Sequence, residues 1–343
     1  MKKGFKRSML IVVAVVAMFV SNAFVLTGCA AADFRIGINQ FMPHPSLDEA
    51  RIGFTTKLTE LLGEVGKTVR FDYRNAGGDD STNASINTTF ANRNVCMIFA
   101  LATPSATNAR DAARARNIPV VYGAITAPED PETALYGVGA EHVTGVSDLL
   151  DMYVQLEFIQ RLLGDEPLTH VAYLYTSGER NSLIQGNHLV AAAARRGGVG
   201  ITRFQIPDIS ALPLRITEIT GNSAIQAIFI GTDNLLAANM MQVANLNRLA
   251  TRSLPVITGA TSMAEEGGVA SLGVNYTDVG REAAKIAFRI LIDGETPGDI
   301  RPVYFDAELL DLLINKSIAY DIGFTIPQAI IDEATATGTV IPI

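Results

Sequence analysis

The residues of this chain best suited to chemistry fall in four short clusters. Thr103-Pro104-Ser105 follows an apolar run and opens a segment of helical period. A helix starting there presents unpaired backbone N–H groups and a partial positive charge, which suits an anion such as a carboxylate. Thr103 reads as its cap and Pro104 as its first helical residue. Ser147-Asp148, Asn181-Ser182 and Asp233-Asn234 have the same form. Each cluster taken singly is also what ordinary capping looks like, so their meaning depends on where the fold places them. Catalytic patterns are weak by comparison. His44, His142, His170 and His188 are far apart and show no metal-ligand spacing with Cys or acidic residues. Gly137-Val138-Gly139 is followed by His142 where a dinucleotide fingerprint needs Gly or Ala, and no phosphate-binding loop or Gly-x-Ser-x-Gly elbow occurs. The expectation is a binding protein without cofactor or metal, not an enzyme.

The elements that would carry these clusters alternate. Short β-branched or aromatic runs at 35–41, 68–74, 95–101 and 118–123 are separated by segments of helical period, and Ala50, Phe54, Leu58 and Leu61 share one helix face. The pattern restarts with strands at 170–175, 200–206, 225–231 and 254–258 and helices near 149–163, 181–196, 210–220 and 235–250. Such alternation predicts two α/β units with parallel sheets, joined through Val143-Thr144-Gly145-Val146-Ser147-Asp148. A strand at 269–275, a helix at 277–292 and one or two strands with a short helix over 302–335 complete the chain. Ligands of open parallel sheets bind beyond the carboxyl ends of the strands. That places the candidate site in the loops 40–46, 102–105, 124–128, 176–182, 232–234 and 259–262.

Residues 1–28 read as an export signal: Lys2, Lys3, Lys6 and Arg7, then an apolar stretch interrupted by Ser21 and Asn22. It ends in Leu26-Thr27-Gly28-Cys29, which resembles the bacterial lipobox and implies acylation of Cys29 and a membrane anchor that does not span the bilayer. Cleavage would leave 315 residues, enough for two domains, with formal charge −12. Nucleic acid is excluded as a partner by that charge. With Cys29 lipidated no internal disulfide can form, and Cys96, inside the apolar run Val95-Cys96-Met97-Ile98-Phe99, reads as a buried, inert thiol.

Seven motifs then fall in a known order. They are Arg35-Ile36-Gly37-Ile38-Asn39-Gln40-Phe41, His44-Pro45-Ser46-Leu47-Asp48, Ala102-Thr103-Pro104-Ser105, Ile118-Pro119-Val120-Val121, Thr144-Gly145-Val146-Ser147-Asp148, Thr232-Asp233-Asn234 and Val279-Gly280-Arg281. Over nearly all of residues 34–330 the chain resembles the ABC-transporter substrate-binding family that includes tryptophan- and tyrosine-binding lipoproteins. The resemblance implies a type I periplasmic-binding-protein fold: two Rossmann-like lobes joined by a three-crossover hinge that close like a flytrap. The expected lobes are 34–146 with 273–298 and 147–272 with 299–343. It implies a small solute, an amino acid and an aromatic one by family likeness, delivered to an ABC permease in the membrane. Thr103 and Ser105 would meet the carboxylate, Asp233 ahead of Asp148 the ammonium, and Phe41, Tyr122 and Tyr276 would form apolar walls. The candidate site is therefore Gln40, Phe41, His44, Thr103, Pro104, Ser105, Tyr122, Ser147, Asp148, Ser177, Asn181, Ser182, Asp233, Asn234 and Tyr276. The family's acidic residues are replaced by Pro43, by Ala127 and, near 261–263, by Thr261-Ser262-Met263. Fewer acids near the cleft weaken ammonium binding. A sensor lipoprotein of the same fold, reporting to a membrane receptor, would have the same pocket.

Overall fold

The computed structural model describes residues 32–343; the leader and Cys29 lie outside the described residues. The chain builds two sheets, both sandwiched by helices. The first contains β1 (Phe34–Gln40), β2 (Val69–Asn75), β3 (Met97–Leu101), β4 (Val120–Ile125) and β5 (Val143–Ser147), all parallel, in the order β2-β1-β3-β4-β5. Every residue of β3, β4 and β5 is buried, as expected of strands covered on both faces. The second sheet contains β6 (His170–Thr176), β7 (Gly200–Ile206), β8 (Ala227–Ile230), β9 (Val256–Ala260), β10 (Ala270–Val274), β11 (Asp311–Asn315) and β12 (Thr339–Ile341). Its order is β12-β11-β10-β9-β8-β6-β7, with only β10 and β11 antiparallel.

Both sheets change winding direction at the strand next to one edge. In the first, β2 and β3 flank β1; in the second, β7 and β8 flank β6. At such switch points the connecting loops diverge to opposite faces and leave a crevice at the strands' carboxyl ends. In the first lobe the crevice is edged by the starts of α1 (Pro45–Glu64), α2 (Asp80–Asn92) and α3 (Thr103–Arg114). The second-lobe crevice is edged by α5 (Arg180–Arg196), which follows α4 (Met152–Leu163), and by α7 (Asn234–Ala237), which follows α6 (Leu212–Gly221).

Chain passages between the sheets run side by side. Val303 donates its N–H to Gly145 O at 3.0 Å and accepts from Ser147 N at 2.8 Å, so the late passage lies against the early one. Between them α8 (Met240–Arg248) and α9 (Thr261–Glu266) belong to the second lobe, and α10 (Tyr276–Phe288) returns to pack along α1. The two helices meet through glycines: a Cβ on Gly53 would lie 2.2 Å from Thr277 O, and one on Gly280 2.0 Å from Ala50 O. Any side chain there forces the pair apart. Phe54 of α1 stacks on Phe99 of β3 at 3.8 Å between centroids, tying the pair to the sheet. Two further helices, α11 (Lys316–Asp321) and α12 (Gln328–Thr337), close the second lobe.

Four sequence expectations need correction. Residues 143–147, read as a link, form the edge strand β5, since Val143, Thr144, Gly145 and Ser147 pair with β4 and continue the sheet. The expected helix over 235–250 is broken: Asn239 turns its side-chain Nδ2 onto Leu235 O at 2.7 Å, competing with the backbone ladder. Residues 259–262, read as a loop, are the end of β9 and the start of α9, which follow each other directly. Cys96 is exposed, because it precedes β3 and its N–H is used by Arg35 O at 2.8 Å, leaving its side chain outside the strand's buried alternation.

Candidate functional site

The two crevices face each other and are shut. His44 Nε2 donates to Asn234 Oδ1 at 3.3 Å, Ser46 Oγ meets Ser262 Oγ at 2.6 Å, and Thr126 Oγ1 meets Thr232 Oγ1 at 3.3 Å, each pair joining the two lobes. Gln185 of α5 adds a bond to Thr126 Oγ1 at 3.2 Å. The inner cavity, walled by His44, Asp148, Asn181, Asp233, Asn234 and Tyr276 among others, keeps only about 10 Å³ of free space. An outer chamber of about 500 Å³ opens beyond it, where the N-termini of α2, α3 and α5 converge. Asn181 lines both spaces. At the chamber's mouth Arg180 of the second lobe is ion-paired with Glu132 of the first.

Two buried carboxylates, Asp148 and Asp233, line the inner cavity and a third, Glu179, lies behind Asn181 and Asn234, and the three differ in how they are used. Asp233 caps α7 and accepts from Thr176 N (2.7 Å), Thr176 Oγ1 (2.8 Å), Ser182 Oγ (2.7 Å) and Leu236 N (2.9 Å). Glu179 accepts from Asn181 Nδ2, Asn234 N, Asn234 Nδ2 and Leu235 N at 2.7–3.1 Å. Asp148 accepts from Thr126 Oγ1 at 2.8 Å and Tyr276 OH at 2.7 Å, with the Thr232 hydroxyl as a further hydrogen-bonding neighbour. A carboxylate has about four acceptor positions, so Asp148 alone retains spare ones. Burial raises all three pKa values, Glu179 to about 7 with the Asp233 charge adding to the effect. Burial instead lowers His44 to about 4, so its ring is neutral; with Nε2 donating to Asn234, Nδ1 is an acceptor, and it has no partner. Asn181 Oδ1 is likewise buried and unpartnered. Together these acceptors make a corner suited to a cation with several N–H groups.

The start of α3 has the opposite polarity. Ala102, at φ 75°, turns the chain from β3 into the helix, so Ala102 and not Thr103 is the cap residue; Thr103 and Pro104 are the first two helical residues. Ala124 at φ 61°, near the end of β4, and Ala127 at φ 49°, just after it, carry similar backbone strain. Ser105 Oγ is engaged, donating to Asn83 Oδ1 at 3.0 Å, whereas Thr103 Oγ1 is buried without a partner beside the outer chamber. The helix N–H groups and one free hydroxyl therefore face the chamber.

Of the expected site residues, His44, Asp148, Asn181, Asp233, Asn234 and Tyr276 meet at the inner cavity, and Thr103, Pro104 and Asn181 at the outer chamber. Others point elsewhere. Tyr122 is packed in the first lobe's other core layer, on the face of β4 away from the cleft. Gln40 binds Met42 O and Asp48, Phe41 is a core residue, and Ser177 donates to Ile206 O. Ser147 caps its own turn by accepting from Leu149 N, and Ser182 is held by Asp233. Asp148 is no helix cap, since α4 starts at Met152 on Asp151. Asp233, expected first for the ammonium, is saturated by the second lobe's own donors. Thr126, Glu179, Gln185 and Thr232 were not among the expected site residues, although Thr232 belongs to the Thr232-Asp233-Asn234 motif. The first, second and fourth lie in loops already read, while Gln185 is signalled only by its place one turn after Asn181 on α5. Among the described residues no cluster of three or more His, Cys, Asp or Glu could hold a metal, and no helix is long and apolar enough to cross a membrane.

Residues 35–338 match the family described as ABC transporter substrate binding protein. The tyrosine-binding protein of Clostridioides difficile (strain R20291) is 29% identical over 287 residues, 82% of this chain and 79% of that protein. A crystal structure of an ABC domain in complex with L-Trp from Streptococcus pneumonia superposes with TM-score 0.76 at 30% identity, covering 89% of this chain and 100% of that one. The ligand-free, open structure of a substrate-binding protein with adhesive properties from Clostridium difficile gives 0.65 at 25% identity, over 90% and 99%. Of these two structures, the liganded one has the higher score with the closed arrangement of this chain.

Proposed function

The chain belongs to the ABC transporter substrate binding protein family, extracytoplasmic binders of small solutes with the type I periplasmic-binding-protein fold, and from that premise we propose that its solute is an amino acid held at both charged ends. The observation that carries this reading is the split polarity of the cleft. Asp148, Asn181 Oδ1 and His44 Nδ1 offer acceptors on the inner side, and the start of α3 with Thr103 Oγ1 offers donors on the outer side. A zwitterion matches both, its ammonium at Asp148 and its carboxylate at the α3 N-terminus. An aromatic side chain is the first choice because the similar proteins include a tyrosine-binding protein and a tryptophan complex. The loaded protein would hand its solute to an ABC permease while tethered through a lipid on Cys29, as the Leu26-Thr27-Gly28-Cys29 motif suggests.

A thermal-shift screen of the amino acids tests the reading. A true ligand at a hundred times its dissociation constant stabilises by about 2.7 kcal/mol. L-tyrosine or L-tryptophan should lead the ranking and should shrink the radius of gyration in X-ray scattering. A screen in which no amino acid stabilises the protein contradicts the proposal. For the anchor, Cys29→Ala should abolish incorporation of labelled palmitate.

A further inference from the structure

We propose that the lobes carry a proton-linked latch outside the ligand cleft, formed by Glu49 of α1 and Glu265 of α9, that favours closure at low pH and opposes it as pH rises. The Ser46–Ser262 hydrogen bond, 2.6 Å long, joins α1 of the first lobe to α9 of the second. Glu49 follows Ser46 by three residues and Glu265 follows Ser262 by three. Residues three apart share a helix face, so closure brings the two carboxylates toward each other one turn along from the serine bridge. Glu49 is half-buried in this seam and Glu265 is exposed.

Nothing in the surroundings of Glu49 neutralises the pair. The groups facing it are Glu265 from α9, Asp48 on its own helix and the neutral phenol of Tyr276 from α10. Arg51 is engaged by Asp48 at 3.2 Å, Arg281 by Asp278 at 2.7 Å, and no ion pair joins Glu49 or Glu265 to an arginine among the described residues. Burial first, then the Glu265 charge, then that of Asp48, push the Glu49 carboxyl up to about 7. Opening parts the two helices and rehydrates Glu49, so the open form holds this proton less tightly. Closure is then coupled to proton uptake: it is favoured below the closed-state pKa and lost as pH rises through about 7. Each unit of difference between the open and closed pKa values changes the closure equilibrium about tenfold. Glu179, whose pKa lies in the same range, makes its hydrogen bonds within the second lobe.

The proposal rests on the two-lobed, closing reading of the molecule but needs no ligand for its test. X-ray scattering of the ligand-free protein between about pH 5.5 and pH 8.5 should show a radius of gyration that grows with pH. Glu49→Gln should stay compact throughout, and Glu265→Gln, which removes the second cause of the shift and leaves burial, should grow less with pH than the wild type. Glu179→Gln should keep the wild-type response. A wild-type radius that ignores pH, or Gln variants that respond as the wild type does, overturns the latch. With L-tyrosine as probe, affinity should fall about tenfold across the same range in the wild type and stay level in Glu49→Gln. Tyrosine binding that is level in both also overturns the latch. If tyrosine fails to bind at any pH, that outcome counts against the proposed solute, and the scattering comparison still decides the latch.

Discussion

On the second-lobe rim of the cleft Asp233 and Glu179 each accept four hydrogen bonds from their own lobe, whereas on the facing side Asp148 accepts fewer and Thr103 keeps a buried hydroxyl with no partner. The two regions contain similar residue types, yet the carboxylates of one are satisfied by the protein's own groups and those of the other are not. A buried polar group left unpaired is costly, and it is the unsatisfied side that a ligand can complete. Acidity alone does not identify the solute contact; unused hydrogen-bonding capacity does.

This contrast can be broken by substitution. The largest effect is expected for Asp233→Ala, which strands the donors of Thr176, Ser182 and Leu236 in the interior. Denaturant unfolding should lose about 3–5 kcal/mol, the range for removing one partner of a buried charged network. A loss below about 1 kcal/mol would show that the second-lobe rim is not a self-satisfied framework. Next comes the pH response of Glu179. Its folded pKa of about 7 lies above the ordinary value of 4.5, so the folded state binds more protons than the unfolded state between those values. Stability should therefore fall as pH rises from about 5 to 7 and level off above, and Glu179→Gln should make that slope shallower. An unaltered slope would place the titration elsewhere. Smallest is Thr103→Val, which should weaken solute binding by about 0.5–1.5 kcal/mol while leaving the ligand-free protein as stable as before or slightly more so. A destabilised ligand-free protein with unchanged affinity would make Thr103 structural.

The sequence carried the sheets well because their strands are buried on both faces and read as apolar runs, β3 and β8 being the plainest cases. It misread β5 because a five-residue edge strand containing a glycine looks like a connection. It could not anticipate the break at Asn239, which depends on one side-chain bond. For the site, the loops read at the strand ends contain His44, Asn181 and Asn234, which line the inner cavity, whereas Asp148 and Tyr276 line it from outside those loops. Alternation along β4 decides that Tyr122 faces away, and the position of a neighbouring strand decides that Thr176 meets Asp233; the first was readable and the second was not. Which of two aspartates has acceptors to spare is a property of tertiary contacts, and no spacing in the chain encodes it.

The central claim is that an amino acid binds with its ammonium at Asp148, and titration calorimetry tests it most directly. L-tyrosine, its carboxamide and its deaminated analogue would be titrated into the wild type and into Asp148→Asn. For the wild type, losing either charged end should cost about 1.5–3 kcal/mol, or one to two decades of affinity. In Asp148→Asn the penalty for deamination should largely vanish while that for the carboxamide remains. If the Asp148→Asn protein discriminates the deaminated analogue as strongly as the wild type does, Asp148 does not hold the ammonium and the cleft does not orient its solute by the split polarity of its two sides.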